Sequence, residues 1–523
     1  MASDNHDGVR SDSLPGNFVA FNLLILYIWV HHYYLLSVIH RYHLPHHLQN
    51  DSQKRPLVAI QLPIYNERYV VRRLVAACAQ MVERYGSDQA EITILDDSND
   101  DTVGLVDEVV REYSLQGIRI RIQRRSDRQG YKAGALQLAL ERTPAEFIAI
   151  FDADFTPRDD FLVLTIPYFL QDDKLAIIQT RWTHLNRYFN RITSAVAIGI
   201  DVHFFIEQTG RYAAHCFQNF NGSGGVLRRS ALIEAGGWQA DTLAEDLDAS
   251  YRIQMKGYHI LYINDLPSPG EIPPTVPSFK KQQARWANGS LRTAKKLLWA
   301  ILGNQKLKIY QRVEAFIHLT GYMLHPMMYI SFLLASFGTI FEVDTFLIHS
   351  HLLTPFGGAY SAFEPLTATQ IHDLSWGVLD SMIVVSMVAA WLTPLVSLII
   401  QKLSIRKNLS ALLILFLLGS GISVSNTIEA VKALFTNQEW EFKRTPKYAN
   451  ITSKEGWRER KYQVPLDFVF LLELASVCLG CIAITIAILH HHYSVLAILI
   501  PYTTAYSFVS LLTLQQSRPQ ASV

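Results

Sequence analysis

The stretch Ile148–Phe155, I-A-I-F-D-A-D-F, decides the fold. An apolar run stops abruptly at two carboxylates, Asp152 and Asp154. Alternate side chains of a strand share a face, so a buried strand that frays at its C-terminal end turns both aspartates toward one crevice. In open α/β sheets, the crevice outside the carboxyl ends of the strands is where ligands lie. Carboxylate oxygens suit a hard divalent cation, which is most useful when it also holds a diphosphate. The stretch therefore predicts a metal–diphosphate site at a sheet edge, although an acidic pair alone is equally a solvated loop start.

Outward from it, residues 57–265 alternate short apolar runs with amphipathic segments. The runs 57–62, 92–95, 118–123 and 147–151 read as strands, and 70–85, 102–113 and 133–141 as intervening helices. Such alternation predicts a mostly parallel sheet with helices on both faces. The catalytic-type domain is bounded at 50–275. A basic amphipathic helix over 278–302 is expected to lie along a membrane surface.

The flanks are greasy. Residues 1–17 form a polar tail. Residues 18–39 are long enough to span a bilayer and lack a cleavable leader's basic start and small-residue site, so a retained anchor is expected. Further apolar runs cover 315–341 and 375–401 (a pair within 315–401), 409–435, and 466–489 and 493–514 (a pair within 466–514). Loop 342–376 holds no Lys or Arg, whereas 437–462 is rich in them, which orients the helices by the positive-inside rule. Five crossings result, with the N-terminus outside and the globular domain cytosolic. Residues 409–435 are then interfacial or re-entrant, and a sixth crossing is the alternative. Lys+Arg 47 against Asp+Glu 46 gives no basic field for nucleic acid. Cys478 and Cys481, in C-x-x-C within a membrane run, are expected to be inert packing.

Five pieces join the opening stretch. P-I-Y-N-E (63–67) follows the first strand and would bring Tyr65 and Glu67 to the crevice, suited to a base or ribose. L-D-D-S-N-D-D (95–101) follows the second. There Asp97 can accept from a base or ribose, while Asp100 and Asp101 also read as a helix cap. Q-G-Y-K-A-G-A-L (129–136) puts Lys132 near a helix N-terminus, where a diphosphate is favoured. T-L-A-E-D-L-D (242–248) offers Glu245 and Asp246, a carboxylate for an attacking hydroxyl or an acidic first turn. Q-Q-A-R-W (282–286) presents a cation and an aromatic on one helix surface, for a leaving diphosphate and a sugar face or as an interfacial anchor.

In this order in one chain, Y-N-E, D-D, K-A-G-A-L, D-A-D, E-D and Q-x-x-R-W resemble the family 2 glycosyltransferases. The membrane-embedded branch of cellulose, hyaluronan and mannan synthases is the nearest likeness. It is densest over residues 55–300. Q-T-R-W (179–182), F-N-G-S-G-G (220–225) and E-A-G-G-W (234–238) look most like the mannan-synthase-like and related bacterial β-glycan synthases. F-K-R-T-P-K (442–447) resembles the gating loop F-x-V-T-x-K, with Arg444 where valine usually lies.

The resemblance implies an α/β fold, a GT-A-type mostly parallel sheet domain inserted between transmembrane helices, with amphipathic interface helices. It implies that Tyr65, Glu67 and Asp97 hold the nucleoside and that Lys132 approaches the diphosphate. Asp152 and Asp154 would serve the donor sugar and Mg²⁺ or Mn²⁺, with Asp154 the more direct ligand. Asp246, beside Glu245, would be the catalytic base. Gln282, Arg285 and Trp286 would bind the diphosphate and the acceptor end. Phe220, Asn221 and Gly222 would lie near the acceptor, Trp182 in the sugar wall, and Thr445 and Lys447 on the gating loop. The implied reaction is inverting, processive transfer of glucose or mannose from UDP-glucose or GDP-mannose to a β-glycan that is exported. The alternative is one sugar placed on a lipid acceptor. The setting would be a multi-pass protein of a plasma, inner or Golgi-type membrane.

Overall fold

A computed structural model describes residues 31–44, 55–341, 390–436 and 465–517. Seven strands form one sheet in the order β3-β2-β1-β4-β6-β5-β7. They are β1 Val58–Ile64, β2 Ala90–Asp96, β3 Ile120–Gln123, β4 Phe147–Ile150, β5 Leu175–His184, β6 Gly225–Arg228 and β7 His259–Gly270. The pairs β1–β2, β1–β4, β2–β3 and β5–β7 are parallel, and β6 runs antiparallel to both its neighbours. The mostly parallel sheet expected from the strand–helix alternation is therefore present.

Strands β1 to β4 lie where the apolar runs place them. Helices α1 Val71–Tyr85, α2 Thr102–Leu115 and α3 Tyr131–Arg142 connect them. The chain steps outward from β1 to β3 and then returns to the other side of β1 as β4. That reversal makes the gap between β1 and β4 a topological switch point, the place where open α/β sheets bind ligands. Along β4, Phe147 and Ala149 pack with α1 and with α4 (Phe161–Gln171), while Ile148 and Ile150 pack with α3 on the opposite face. A strand covered on both faces reads as an unbroken apolar run, which is why I-A-I-F is so plain.

Beyond β5 come α5 Arg191–Val202, a π-helical turn His203–Gln208, α6 Thr209–Ala213, α7 Arg229–Glu234, α8 Glu245–Met255 and α9 Val276–Leu302. Thr275 caps α9 by accepting from Ser278 N, and Pro277 stands in its first turn, where no donor is lost. α9 packs on α8, on α10 (Ile309–Thr320) and on the helices below. Those are α11 Leu324–Ile340, α12 Ala390–Ile400, α13 Ile405–Gly421, α14 Ser423–Phe435, α15 Phe468–Leu489 and α16 Leu496–Ser517.

Among the described residues, Ile309–Ile340, Phe468–Leu489 and Leu496–Ser517 are long and apolar enough to cross a bilayer. Helices α13 and α14 meet at a bend of 41° and qualify only as a pair, as a broken span or a re-entrant loop. Of the run 18–39, residues 31–38 are helical and end in a 3₁₀ turn, Ile39–Arg41. The first part of 375–401 and the segment 442–447, with Arg444, Thr445 and Lys447, lie outside the described residues. Cys478 and Cys481 are free thiols on the exposed side of α15, not packed within it.

Candidate active site

Two lobes open at the switch point and share Lys132, Asp152, Asp154, Gln282 and Arg285. The first, about 780 Å³, includes Tyr65, Glu67, Asp97 and Arg128. The second, about 730 Å³, includes Trp182, Asn221, Glu245, Asp246, Glu271 and Trp286. The sequence motifs thus converge on one crevice from the ends of β1, β2 and β4, from two helix N-terminal turns and from α9.

Local structure explains how each arrives. The loops after β1 and β2 are laced together. Asn66, at φ +56°, donates from Nδ2 to Asn99 Oδ1 (2.9 Å), while its own Oδ1 accepts from Asn99 N (3.0 Å). Asp97 N donates to Ile64 O at 3.0 Å. These bonds set Tyr65 and Glu67 beside Asp97. Asp97 is engaged by a fork from Arg125, Nε to Oδ1 at 3.0 Å and Nη2 to Oδ2. Arg128 lies 3.4 Å over the Tyr65 ring, so the guanidinium covers one face expected to be open to a base. Asp100 Oδ1 accepts from Thr102 N at 2.9 Å in a turn just ahead of α2, whereas Asp101, the N-cap residue, pairs with Arg68.

Asp152 and Asp154 fall just past β4, on a turn rather than on the strand. Strand alternation is therefore not what brings them together. Asp152 N donates to Ser223 Oγ (2.9 Å), and Asp154 Oδ2 accepts from Glu271 N (3.2 Å). Asp154 is 4% exposed, and Arg73 links its carbonyl (3.2 Å) to the Glu271 carboxylate (2.7 Å).

Lys132 occupies the first turn of α3, which left-handed Gly130 begins at φ +70°. Its Nζ reaches Asp152 Oδ1 at 2.7 Å, Gly222 O at 2.9 Å and Glu245 Oε1 at 3.8 Å. Burial opposes that charge, but Asp152, Glu245 and Asp246 outweigh it and raise the lysine above its ordinary pKa.

Asp246 stands in the first turn of α8, with Oδ1 accepting from Leu247 N at 2.8 Å. Burial first, then the Glu245 charge, pushes its carboxyl up to about 7, against the pull of Lys132 and Arg285. Gly222, at φ +77°, lies so near that a Cβ there would be 2.7 Å from Asp246 Oδ2.

Gln282, Arg285 and Trp286 sit one turn apart on α9, and all three face the second lobe. Trp182 closes the opposite wall, its Nε1 donating to Ser223 O at 2.9 Å and its ring against Phe155 and Phe204. Phe220, expected near the acceptor, is 1% exposed in the core under the sheet and lines neither lobe.

Arg125, Arg128, Glu271 and Ser223 were missed from the sequence. The two arginines stood in R-S-D-R, directly ahead of the lysine motif, and were the one usable signal.

Among the described residues, no three His, Cys, Asp or Glu side chains gather as a metal cage. The donor set is instead two carboxylates beside a space for phosphates. That fits Mg²⁺ or Mn²⁺, ions held by one or two carboxylates plus substrate oxygens.

The chain is 38% identical over 261 residues to probable glucomannan 4-beta-mannosyltransferase 2 of Oryza sativa subsp. japonica, 49% of this chain and 45% of that protein. It is 37% identical over 266 residues to glucomannan 4-beta-mannosyltransferase 2 of Arabidopsis thaliana, 50% and 49% respectively. The chain thus spans about half the length of these relatives. A solved mannosyltransferase of Pyrobaculum calidifontis, in complex with GDP-Man and Mn2+, aligns at 18% identity and TM-score 0.48, covering 70% of this chain and 98% of that one. At that level the likeness bears no argument. The model of glycosyl transferase family group 2 matches residues 147–424, more than half of the chain and the whole span from β4 to α9, and the chain belongs to that family.

Proposed function

We propose that the protein is a membrane-embedded, inverting, processive β-glycosyltransferase that moves a hexose, mannose or glucose, from a nucleotide sugar to a growing β-glycan. The observation that carries this is Asp246. A carboxylate with its pKa raised to about 7 stands beside two cations, shares its lobe with two tryptophans, and adjoins the lobe of Tyr65, Glu67 and Asp97. The relatives' printed activity, 4-beta-mannosyl transfer in glucomannan, supports mannose as the sugar.

In this reading Asp246 removes the proton of an acceptor hydroxyl. The hydroxyl oxygen bonds to the anomeric carbon as the bond to the diphosphate oxygen breaks on the opposite face. Lys132 and Arg285 stabilise the charge that develops on the diphosphate. Trp182 and Trp286 give flat apolar faces to the sugar rings. One base suffices because the leaving group is already activated, whereas a hydrolase needs a second carboxyl as acid. A divalent cation on Asp154 and Asp152 would supply further charge neutralisation at the diphosphate. The helices beneath α9 would lead the polymer out, since its hydroxyls are too costly to desolvate in lipid. The catalytic sheet lies on the cytosolic side, as the basic residues of 437–462 argue.

The test is product sizing. Purified full-length protein in detergent is given labelled GDP-mannose or UDP-glucose, with and without chelator. A ladder or insoluble polymer that needs Mg²⁺ or Mn²⁺ supports the reading. A single lipid-soluble spot replaces it with transfer to a lipid. Nucleotide-sugar binding without turnover refutes both.

A further inference from the structure

Behind the second lobe, a ring of polar side chains fixes the direction of its own hydrogen bonds. Arg211, 1% exposed on α6, can only donate. Its Nη2 lies 3.4 Å from Asn219 Oδ1, which turns the Asn219 amide nitrogen toward Asn221 Oδ1 at 2.8 Å. His203 Nε2 is 3.1 Å from that same oxygen. Since Asn221 Oδ1 only accepts, the imidazole must donate from Nε2. Its Nδ1 is 2.8 Å from Glu207 Oε2, which also accepts. The ring is thus held between two acceptors, with Nε2 aimed at Asn221 and Nδ1 at Glu207.

The surroundings agree. Around the pair stand His32 (3.4 Å from Glu207 Oε1), Arg211 (3.7 Å from Glu207 Oε2), the Phe204 ring and, farther off, His318 and Tyr322. Burial opposes the Glu207 charge, but the hydrogen bonds from His203 and His32 and the Arg211 charge prevail and hold its carboxyl well below the usual range. That carboxylate holds the Nδ1 side of the ring and so aims Nε2 at Asn221.

The outcome concerns Asn221, which lines the second lobe with Trp182, Asp246 and Trp286. Its backbone N–H is served by Gln179 Oε1 (2.8 Å), and its side-chain oxygen by His203 and Asn219. Its Nδ2 is buried and has no acceptor among the described residues. A buried donor left without an acceptor is costly unless a ligand supplies one. Gln282 Oε1, on the same lobe, is a buried acceptor with no donor among the described residues. A hydroxyl, which both donates and accepts, matches the two.

We propose that His203 is a positioning residue: shared between Glu207 and Asn221, it locks the Asn221 amide oxygen inward and leaves the amide NH₂ to donate to a sugar hydroxyl in the second lobe. This rests on the sugar-transfer reading above.

The test uses the full chain in detergent. Kinetics are measured with both nucleotide sugars, the Kd of GDP and UDP by calorimetry, and folding by melting temperature. H203L removes the donor. H203Q keeps one neutral donor within reach of Asn221. N221D replaces the NH₂ with an acceptor. H203L and N221D should each lower kcat/KM by about tenfold or more, leave the GDP and UDP affinities within about twofold, and fail to add in the double variant. H203Q should recover to within about threefold.

H203L at wild-type kcat/KM, multiplicative losses, or H203Q as poor as H203L would overturn the assignment. Should H203L not fold, folded H203Q decides alone, since a tenfold loss there overturns it and near-normal turnover supports it. Absence of turnover in the wild type would sink the sugar-transfer reading instead. The nitrogen NMR spectrum of labelled histidine, with H203Q as assignment control, then reads whether Nε2 carries a proton. A protonated Nε2 upholds the geometry, and a bare Nε2 overturns it.

Discussion

Replacing Asp246 with asparagine removes one proton acceptor and one charge while keeping the shape. The amide oxygen can still accept from Leu247 N, so the first turn of α8 is preserved. A base whose pKa is pushed up to about 7 is half ionised near neutrality, close to the best compromise between strength and availability. A positioned general base contributes about 10²–10⁴-fold, or about 3–5 kcal/mol of barrier, and D246N should lose kcat by that factor. Affinity for the free nucleoside diphosphate should be unchanged, because Asp246 lines the second lobe and not the one containing Tyr65 and Asp97.

The assay is nucleoside diphosphate release across a range of pH. Wild-type kcat/KM should rise with pH through about 7, and the variant should lack that limb. Stability should move oppositely. A carboxyl whose pKa goes from 3.8 to about 7 on folding binds more protons folded than unfolded in that window, so the wild type loses stability as pH rises through it. D246N should lose less. Near-normal turnover in D246N, with the ascending limb intact, would refute the assignment of the base.

Other substitutions probe the same frame. K132M removes the cation that Asp152, Glu245 and Asp246 share; diphosphate affinity, read by calorimetry, should fall about tenfold to a hundredfold, and the Asp246 limb should move to higher pH because Lys132 holds it down. G222A places a methyl 2.7 Å from Asp246 Oδ2 and 3.2 Å from Lys132 Nζ at positive φ. It should cost about 1–2 kcal/mol in chemical unfolding and lower kcat more than KM. K280M leaves Glu473, 0% exposed, without the ammonium 2.5 Å away and should destabilise by about 3–5 kcal/mol. The pair K280M/E473L should restore most of that loss in a thermal melt in detergent.

Strands β1, β2 and β4 were legible because burial on both sides leaves mostly apolar runs, and β3 because I-R-I-Q alternates at the sheet edge. The rest of the sheet was not. β6 is four residues long, and β7 contains Pro267 and Pro269, which argue against a strand unless it sits at a sheet edge, as β7 does. The carboxylates and Lys132 were legible because each ends or begins an element whose periodicity announces it. Phe220 was misplaced because it adjoins Asn221 in sequence while its ring turns into the core. His203 and Glu207 escaped because a histidine four residues before a glutamate on a helix looks like surface pairing. Only the approach of Asn221, eighteen residues on, gives the pair a purpose. Arg128 went unseen because stacking on Tyr65 joins loops sixty-odd residues apart in sequence.

The Lys280–Glu473 contact has a further consequence. Lys280 precedes Gln282 by two residues on α9, and Glu473 belongs to the candidate span α15. An enclosed ion pair resists separation, so it acts as a strut between the bilayer and the crevice. Helices meet a thicker or thinner hydrocarbon layer by tilting, and a tilt of α15 pulls on the turn of α9 that bears Gln282 and Arg285. Turnover in bilayers of different chain length should then differ, and K280M/E473L should flatten that dependence.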